Sequence, residues 1–476
     1  MAQLLAGAAR AGINTVDAKV NDPLFAKVLL LKSEETTAAI ASLDYICMGG
    51  GIGELSDGFF EMLKTRVQAM GIDHLICGTT HTHTPGTMYV TDASVAEGVC
   101  KALELAKEKL EPALVGFGKG RDESFLINRT LTLKDGTAWS IRQAHPCPPG
   151  EEIAALEEAD DGIDILRVDR LDGSPLCVLF TFGCHPLLGY AHNRTTANYP
   201  GVAERIIEDQ TGAVAMLLQS SGGDVTEIGY KDYDRPKCCD GPGMTLGLAV
   251  LKALKDIRTE EVRCFETALR QVIFPRRTGT PQIREALLSR QRALAMELGN
   301  CPLDFKAFLP LYMKYLTDPE YPLDYAYAYL REEALGKRQL RDQDKINRGN
   351  LKKYLRNIRI MEELSKLATT LETLQWHEDH NAASGQTHIR GEVAGLRLGD
   401  ALFVTAPVEP LSAVGRRIKS LTERQLFFVG YANGYMHYGA PEDCYNNGGY
   451  ETIECMLDSG WLTEYEGAVK EILEEL

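Results

Sequence analysis

The chain has 476 residues, enough for one large domain or two smaller ones, and its 44% apolar and 25% charged residues are typical of a globular protein. The net charge of −16 argues against non-specific binding to nucleic acid or to an anionic membrane. The longest apolar runs are far shorter than the ~20 residues of a membrane span, and the N-terminus lacks a signal-peptide pattern. Twelve scattered cysteines are typical of free thiols in a reducing compartment. We therefore expect a cytoplasmic protein with no transmembrane segment and no nucleic-acid partner.

Strand and helix patterns alternate through the first half of the chain. Buried strands are predicted at residues 25–32, 38–48 and 74–80, and amphipathic helices follow Ser56 and Thr91. Further strands are predicted at 113–118, 165–171, 176–184 and 213–221, and further helices at 199–212 and 244–258. This alternation is typical of an α/β protein in which helices flank mixed β-sheets.

The pattern changes between Thr278 and Leu374, where three long segments have the period of amphipathic helices and few strand signals. Strand patterns return afterwards, in "THIRGEVAGLRLGDALFVTAPVEP" and "RQLFFVGYANGY". We therefore predict one catalytic α/β domain, formed by residues 1–277 and 375–476. It carries a helical insertion, residues 278–374, before the C-terminal strands.

Two features of this insertion have both a structural and a functional interpretation. Residues 337–359 are locally basic in an acidic chain, which is typical of a solvated helical face. The same charges could instead line a pocket for an anionic substrate. Tyr312, Tyr315, Tyr325 and Tyr329 lie at spacings of three and four, and such a stripe indicates core packing more often than a binding platform.

The first side chains suited to catalysis lie in "CGTTHTHTPG", residues 77–86. In a strand, residues i and i+2 project to the same face, so we expect His81 and His83 to lie together at the end of the strand 74–80. Ligands bind at strand ends in α/β proteins, and neutral imidazoles suit zinc. The alternative is a polar strand edge with two surface histidines.

Two further polar side chains close apolar strands. His185 ends "CVLFTFGCHP", where the alternative is a hydrogen-bonded core histidine, and Glu409 ends "ALFVTAPVEP". A carboxylate rarely lies beside buried strands without a partner. His81, His185 and Glu409 together match the ligand types of a catalytic zinc ion.

Two loops contain the other candidate residues. Residues 427–451, "FFVGYANGYMHYGAPEDCYNNGGYE", concentrate tyrosines among glycines and asparagines. Such a loop is typical either of a surface or interface, or of an active site whose phenols donate hydrogen bonds or bind a metal. Residues 219–230, "QSSGGDVTEIGY", follow an apolar strand, and Asp224 and Thr226 there either form a turn or place a hydroxyl group in the site.

The order of these motifs resembles that of the neutral ceramidase family. The motifs "THTHTPG", "INR" at 127–129, "CHP", "GGDVT", "PVEP" and "GYANGYMHY…GYE" follow one another, with Tyr438 and Tyr450 twelve residues apart. The likeness extends over most of the chain, including "LLAGAARAGI" and "AAIASLDYICMG", and it concerns the catalytic domain, not the family's C-terminal β-sandwich. Neutral ceramidases are zinc amidohydrolases that cleave the amide of N-acylsphingosine.

The resemblance implies a role for each matched residue. It implies that the Zn2+ ligands are His81, His185, Glu409 and Tyr438, and that the reaction centre is lined by His83, Arg129 and Tyr450. Zinc-activated water would attack the carbonyl carbon of a small-molecule substrate, while Arg129 and Tyr450 stabilise the oxyanion and His83 protonates the leaving group. The implied reaction is hydrolysis of an amide or ester bond.

The chain departs from the family pattern beside its glycine pair. The family has Asn-x-Gly-Asp-Val-Ser-Pro-Asn, in which the serine is a proposed catalytic residue. This chain has Thr226 in place of that serine, and Glu227 and Ile228 in place of the Pro and Asn that follow. The extra methyl group and the charge would reshape the pocket, so we expect a substrate other than ceramide.

Two alternatives to a zinc hydrolase stay open. The chain could use its zinc for isomerisation or elimination on a polar metabolite, or it could be a catalytically inactive binding protein. Matched residues at all four ligand positions argue against the inactive protein, because such a protein need not keep a metal-binding set.

Overall fold

A computed structural model describes residues 3–83, 89–140, 147–191, 194–232, 234–262, 264–323 and 325–476. The chain divides into two compact units. The first, which we call the α/β unit, consists of Met1–Thr278 and Ser384–Leu476. The second, which we call the helical unit, consists of Gly279–Ala383.

The elements are numbered in chain order. The strands are β1 (Leu5–Gly12), β2 (Phe25–Lys32), β3 (Thr37–Leu43), β4 (His74–Thr79), β5 (Glu111–Arg121), β6 (Leu126–Asn128), β7 (Thr130–Leu133), β8 (Ala138–Ser140), β9 (Ile153–Leu156), β10 (Gly162–Arg170), β11 (Pro175–Phe182), β12 (Val214–Gln219), β13 (Val225–Glu227), β14 (Phe265–Pro275), β15 (His388–Leu398), β16 (Ala401–Thr405), β17 (Glu409–Pro410), β18 (Leu426–Val429) and β19 (Tyr438–Gly439). The helices are α1 (Phe59–Ala69), α2 (Asp92–Glu108), α3 (Asn198–Thr211), α4 (Asp240–Leu254), α5 (Thr280–Glu297), α6 (Phe305–Thr317), α7 (Ala326–Ala334), α8 (Gln339–Ser384), α9 (Ser412–Lys419), α10 (Cys444–Asn447), α11 (Tyr450–Ile453) and α12 (Trp461–Glu475).

Two mixed sheets form the centre of the α/β unit. The larger has the strand order β12-β11-β10-β5-β1-β2-β3-β4 and is antiparallel except at its two ends, where β3 pairs with β4 and β11 pairs with β12 in parallel. The smaller has the order β14-β15-β16-β18, and its only parallel pair among these strands is β16 with β18. The predicted α/β fold with mixed sheets is confirmed.

The two sheets pack face to face, and helices cover their outer faces. Side chains from both sheets share one core, which includes Leu29, Leu218, Phe403 and Phe427. Helices α1 and α2 cover one half of the larger sheet, α3 and α4 cover the other half, and α9 and α12 cover the smaller sheet. Strands that are buried on both faces need apolar residues at successive positions, which is why they form unbroken apolar runs in the sequence.

The predicted strand at 38–48 is shorter in the structure, because β3 ends at Leu43. The segment that follows is a series of turns, in which Gly49 and Gly50 have φ angles of +99° and +74°. Glycine adopts such angles without steric cost. These turns carry the carbonyl group of Ile46 to the candidate site described below.

The helical unit has its own small cores. Phe308 and Tyr315 of α6 are buried against Leu351 of α8. The buried carboxylate of Asp344 accepts hydrogen bonds from the hydroxyl groups of Tyr315 (2.8 Å) and Tyr329 (3.1 Å). These two tyrosines are core residues, as their spacing predicts.

Tyr325 departs from this pattern. It belongs to the same predicted stripe but is exposed, because it immediately precedes α7 and does not face α8 from within a helix. In the described ranges, no helix combines the length and the apolar character needed to cross a membrane.

Candidate metal centre

The candidate site lies beyond the carboxyl ends of strands from both sheets. Gln219, the last residue of β12, donates from its side-chain amide to the carbonyl oxygens of Thr80 (2.9 Å) and Cys184 (2.9 Å). Its own carbonyl oxygen accepts a hydrogen bond from the backbone N–H of Gly430 (2.9 Å). These bonds join the segments that follow β4, β11, β12 and β18, and polar side chains at such strand ends are positioned to bind ligands.

His81 and His83 lie in the segment that follows β4. The strand pleat does not bring them together, because β4 ends at Thr79 and His81 has a φ of +59°, in the left-handed region. The turn at His81 achieves the same result, since the Nε2 atoms of the two rings are 3.0 Å apart. The prediction that the two rings share one site agrees with the structure, but the geometric reason for it does not.

Backbone carbonyl groups hold the rings of His81 and His185. Nδ1 of His81 lies 2.7 Å from the carbonyl oxygen of Ile46, and Nδ1 of His185 lies 2.6 Å from that of Gly222. A carbonyl oxygen can only accept a hydrogen bond, so each Nδ1 carries a proton. In a neutral ring the lone pair is then on Nε2, which is the arrangement found in histidines that bind metals.

Glu409 and Tyr438 are direct neighbours in the short parallel pair formed by β17 and β19. The Glu409 carboxylate lies 3.5 Å from Nε2 of His81 and 3.1 Å from Nε2 of His185. The Tyr438 hydroxyl group is 3.4 Å from Nε2 of His185. We call the side chains of His81, His185, Glu409 and Tyr438 the metal cluster.

Gly223 allows the loop after β12 to approach this pair closely. A Cβ atom at Gly223 would lie 2.8 Å from the carbonyl oxygen of Glu409, which is closer than such atoms can approach. Only glycine fits at this position. The glycine pair of the "GGDVT" motif therefore has a packing role beside the metal cluster.

The charges of the metal cluster are not balanced by the described side chains. Burial lowers the pKa of His81 to about 4, so the ring is neutral at physiological pH. The carboxylate of Glu409 accepts a hydrogen bond from the hydroxyl group of Tyr435. The second carboxylate oxygen, Oε2, is buried and receives no hydrogen bond.

A divalent cation fits this arrangement. Two imidazole lone pairs and a carboxylate converge, and no Lys or Arg in the described ranges forms an ion pair with Glu409. Burying such a set without a cation is unfavourable. The ligating atoms of His81, His83 and His185 all lie within 4.8 Å of one another, so these three rings form a group that could hold an ion.

His83 lies close enough to His81 to have either of two roles at this site. Its Nε2 can bind the same ion as His81, or it can exchange a proton with a substrate bound there. Burial, with smaller contributions from His81 and His185, lowers the pKa of His83 well below its usual range, so the ring is neutral. Its backbone N–H donates to the carbonyl oxygen of Pro186 (3.1 Å), which ties it to the segment that carries His185.

Arg129 connects the metal cluster to the last loop of the α/β unit. Its Nη2 donates to the hydroxyl oxygen of Tyr438 (2.8 Å) and to the carbonyl oxygen of Gly223 (2.7 Å). Its Nε donates to a carboxylate oxygen of Glu451 (2.8 Å), which also accepts a hydrogen bond from Ser140 (2.9 Å). All these side chains are buried or nearly so, and the guanidinium group is fixed from both sides.

Tyr450 begins α11 next to this arginine. Its ring centroid lies 5.6 Å from that of Tyr438, and the guanidinium carbon of Arg129 lies 5.6 Å from the Tyr450 centroid. The structure therefore places all three residues that the resemblance assigns to the reaction centre, His83, Arg129 and Tyr450, in contact with the metal cluster.

Thr226 lies beside His185, to which it is joined by a parallel β-bridge. Its hydroxyl group is buried and has no hydrogen-bond partner in the part of the chain that the structure describes. The nearby carboxylate of Asp224 is fully engaged, because it accepts hydrogen bonds from the backbone and hydroxyl groups of Ser412 and from the side chain of Asn128. No hydrogen bond in the described part of the chain joins the Thr226 hydroxyl to a base that could activate it as a nucleophile.

Glu227 has a different role from the one that its charge suggests. Its carboxylate accepts hydrogen bonds from the backbone N–H groups of Leu187 and Leu188 and is buried. Burial raises the pKa of this carboxyl group to about 7. The carboxylate therefore holds the loop that follows His185.

Sequence reasoning missed two partners of the predicted residues. In the sequence, Tyr435 and Glu451 are identified only as parts of a tyrosine-rich loop. In the structure, Tyr435 donates a hydrogen bond to Glu409, and Glu451 accepts one from Arg129. No signal in the sequence links Glu451 to Arg129, because the two residues are 322 positions apart. Thr84, Pro85 and Gly86 of the "THTHTPG" motif lie outside the described residues.

Comparison with known proteins identifies solved structures of similar fold. No family model and no curated protein matches the chain. The structure is similar to that of neutral ceramidase from Pseudomonas aeruginosa, with a TM-score of 0.61 and 14% identity, over 99% of this chain and 74% of the ceramidase. It is also similar to a structure described as ceramidase complexed with C2, with a TM-score of 0.62 and 14% identity, over 100% and 76% of the two chains. The chain thus has a ceramidase-like fold.

Proposed function

We propose that this chain is a zinc-dependent hydrolase that cleaves an amide or ester bond of a small molecule. The observation that carries the proposal is the convergence of two histidine lone pairs and an uncompensated carboxylate, from His81, His185 and Glu409. Histidine nitrogen and carboxylate oxygen are the usual ligands of catalytic zinc, and three such ligands leave a position open. The ceramidase-like fold adds support, because ceramidases are hydrolases.

Zinc bound by these side chains would supply a Lewis acid that makes water nucleophilic near neutral pH. Tyr438 would be the fourth protein ligand, and the attacking water would bind as an additional ligand. Burial raises the pKa of its phenol well above the usual range, so this ligand is neutral. The hydrogen bond from Arg129 keeps the phenol oxygen next to His185.

Arg129, Tyr450 and His83 would stabilise the charge that develops on the substrate and transfer protons. Arg129 is a fixed cation at the edge of the metal cluster, where it and Tyr450 would stabilise the negative charge that develops on the carbonyl oxygen of the substrate. His83 is neutral, so its Nε2 can accept a proton and then donate it to the leaving group.

The substrate that we propose is not ceramide. Thr226 replaces the family serine, and its unpaired hydroxyl group beside His185 is available to bind a polar group of the substrate. Glu227 and Ile228 replace the following residues. We also propose a cytoplasmic location, because all twelve cysteines are free thiols.

The test is elemental analysis of purified, zinc-replete protein, followed by an activity screen over N-acyl amines and esters. We expect a single zinc ion per chain and hydrolysis that a chelator abolishes. His388→Ala, which removes an exposed histidine outside the site, is the matched control and should keep the zinc. Zinc that stays bound after Glu409→Gln and His185→Ala are combined would contradict the proposal.

A further inference from the structure

The helical unit exposes a row of large apolar side chains along α6. Phe305, Leu309, Met313 and Leu316 are 63%, 44%, 46% and 60% exposed. Their spacing of four, four and three residues places them on one face of α6, over about 17 Å of its length. We call these four residues the apolar stripe. A contiguous exposed patch of this kind marks a surface that binds another molecule.

The stripe is not the face by which α6 packs within the helical unit. Phe308 and Tyr315 provide that contact, and they lie on a different side of the helix from the stripe. A helix that only covers one core carries polar residues on its remaining surface. The apolar stripe of α6 therefore has no structural explanation inside the helical unit.

A row of basic side chains follows one side of α8. Residues 337–359 contain nine Lys and Arg but only two Asp. Six of the nine are spaced by four, three, four, four and three residues, which keeps them on one side of the helix. We call these six residues the basic flank: Arg341, Lys345, Arg348, Lys352, Arg356 and Arg359.

Contacts place the basic flank alongside α6. Arg356 forms an ion pair (3.0 Å) with Glu297, at the end of α5 and so just before the connection to α6. At the other end of α6, Arg348 donates to the carbonyl oxygen of Pro319 and lies 4.7 Å from the ring centroid of Tyr315. The basic flank thus touches the chain before and after α6, and the apolar stripe and the basic flank belong to two helices that pack against each other.

The net charge of the whole chain does not describe the helical unit, which carries this surface. Gly279–Ala383 contains sixteen Lys and Arg against fifteen Asp and Glu, whereas the whole chain contains 51 against 67. The net charge of −16 therefore comes from the α/β unit. A net charge argues against binding to an anionic surface only when the charges are evenly spread.

We propose that the helical unit docks this protein on an anionic lipid surface through the apolar stripe and the basic flank. Exposed Phe, Leu and Met side chains enter the headgroup region of a bilayer, and neighbouring Lys and Arg bind its anionic headgroups. The partner is thus a phospholipid surface that is contacted from one side, without a membrane-spanning segment.

A second copy of the chain fits this surface less well. A two-fold interface that pairs the two apolar stripes would leave both basic flanks without an anionic partner. Pairing of the basic flank with the acidic α/β unit of another copy is heterologous, and such contacts form rings or open filaments. An extended anionic surface meets both the apolar and the basic requirement at once.

The test is co-sedimentation of the full chain with vesicles of phosphatidylcholine alone or of phosphatidylcholine mixed with phosphatidylglycerol. We expect binding to the mixed vesicles and much weaker binding to the neutral ones. Lys345 and Lys352 are exposed and form no ion pair with the described residues. Replacing both by Gln should weaken partitioning about 25-fold, because each lysine near an anionic surface contributes about fivefold.

The apolar stripe is tested with Leu309→Ser combined with Leu316→Ser, which should weaken binding to the mixed vesicles at least as much. The matched control is Met244→Ser with Leu248→Ser, which removes an exposed apolar pair at i, i+4 spacing from α4 of the α/β unit and should bind like the wild type. Both variants change exposed residues, so circular dichroism should show unchanged folding.

Two results would overturn the proposal. The first is no binding to the mixed vesicles, or equal binding by the wild type and by the stripe and lysine variants. The second is a dimer, measured by size-exclusion chromatography with light scattering, that the Leu309 and Leu316 variant dissociates. That second result would assign the surface to another copy of this chain.

Discussion

Two buried clusters of ionisable side chains in the α/β unit differ in whether a lysine or arginine side chain pairs with their carboxyl groups. In the first, Nζ of Lys27 lies 2.9 and 3.0 Å from the two carboxylate oxygens of Asp44 and also pairs with Glu204. Asp44 and Glu204 share this cation, and burial raises the pKa of Glu204 to about 8, so a proton on Glu204 completes the charge balance at neutral pH. In the metal cluster, by contrast, the carboxylate faces two imidazole lone pairs and no Lys or Arg of the described residues.

The difference separates a structural cluster from a binding site. Burial acts to lower the pKa of Lys27, but Asp44 and Glu204 reverse this and raise it. Both carboxylates also accept hydrogen bonds from backbone N–H groups, those of Phe25 and Leu217. The lysine cluster is therefore complete as folded, whereas under the proposed function a cation would complete the metal cluster.

The largest effect is expected from removing a ligand of the metal cluster. His185→Ala should lose the zinc and abolish turnover, because the ring supplies one of three anchored ligating atoms. His83→Gln should keep the zinc and lower turnover about 10²- to 10⁴-fold, the usual range for a lost proton donor. Zinc content and kcat measured on the same preparations check both outcomes. Zinc loss in His83→Gln would make His83 a ligand.

Lys27→Met should destabilise the protein by about 3–5 kcal/mol, because it removes the cation that Asp44 and Glu204 share. Denaturant unfolding of the metal-free protein measures the free energy of unfolding. Glu409→Gln is the matched variant, and in metal-free protein it should cost far less, since Glu409 has no cation to lose. Equal destabilisation by the two variants would contradict the distinction between the clusters.

Glu451→Gln should lower turnover about 10- to 100-fold while zinc content stays unchanged. The carboxylate holds Arg129 through a charge-assisted hydrogen bond, and such bonds contribute about 1.5–3 kcal/mol. The effect should be on kcat more than on KM, because Arg129 acts on charge that develops during the reaction. Ser140→Ala, which removes only the other partner of Glu451, should cost less. A Glu451→Gln variant with wild-type kcat would show that Arg129 needs no such support.

The smallest effect is expected at Thr226. Thr226→Val replaces an unpaired buried hydroxyl group by a methyl group of the same size, so the free energy of unfolding should stay the same or rise slightly. Turnover should fall about tenfold or less, because the hydroxyl has no activating base. Mass spectrometry after incubation with a slow substrate provides the control, since an adduct on Thr226 would identify it as the nucleophile.

Three residues of the metal cluster could be predicted because each of them follows an apolar strand. His81, His185 and Glu409 each follow a run of residues that is buried on both faces, where a polar side chain stands out. Tyr438 could be assigned only through the resemblance to a family. It pairs with Glu409 in strands of two residues, which are too short to leave a pattern in the sequence.

The parts that could not be predicted depend on contacts between distant segments. Arg129 and Glu451 are 322 positions apart, and no local periodicity relates them. The left-handed turn at His81 also has no composition signal, because few non-glycine residues adopt such angles. The basic segment 337–359 was visible in the sequence, but the apolar stripe became visible only with the exposure of α6.

The central claim is that a zinc ion completes the metal cluster. X-ray diffraction data collected on both sides of the zinc absorption edge, from crystals of zinc-replete protein, test it most directly. We predict one strong anomalous peak about 2.0–2.2 Å from Nε2 of His81, from Nε2 of His185 and from a carboxylate oxygen of Glu409. A map with no peak at this position, although the crystals contain zinc, would contradict the claim.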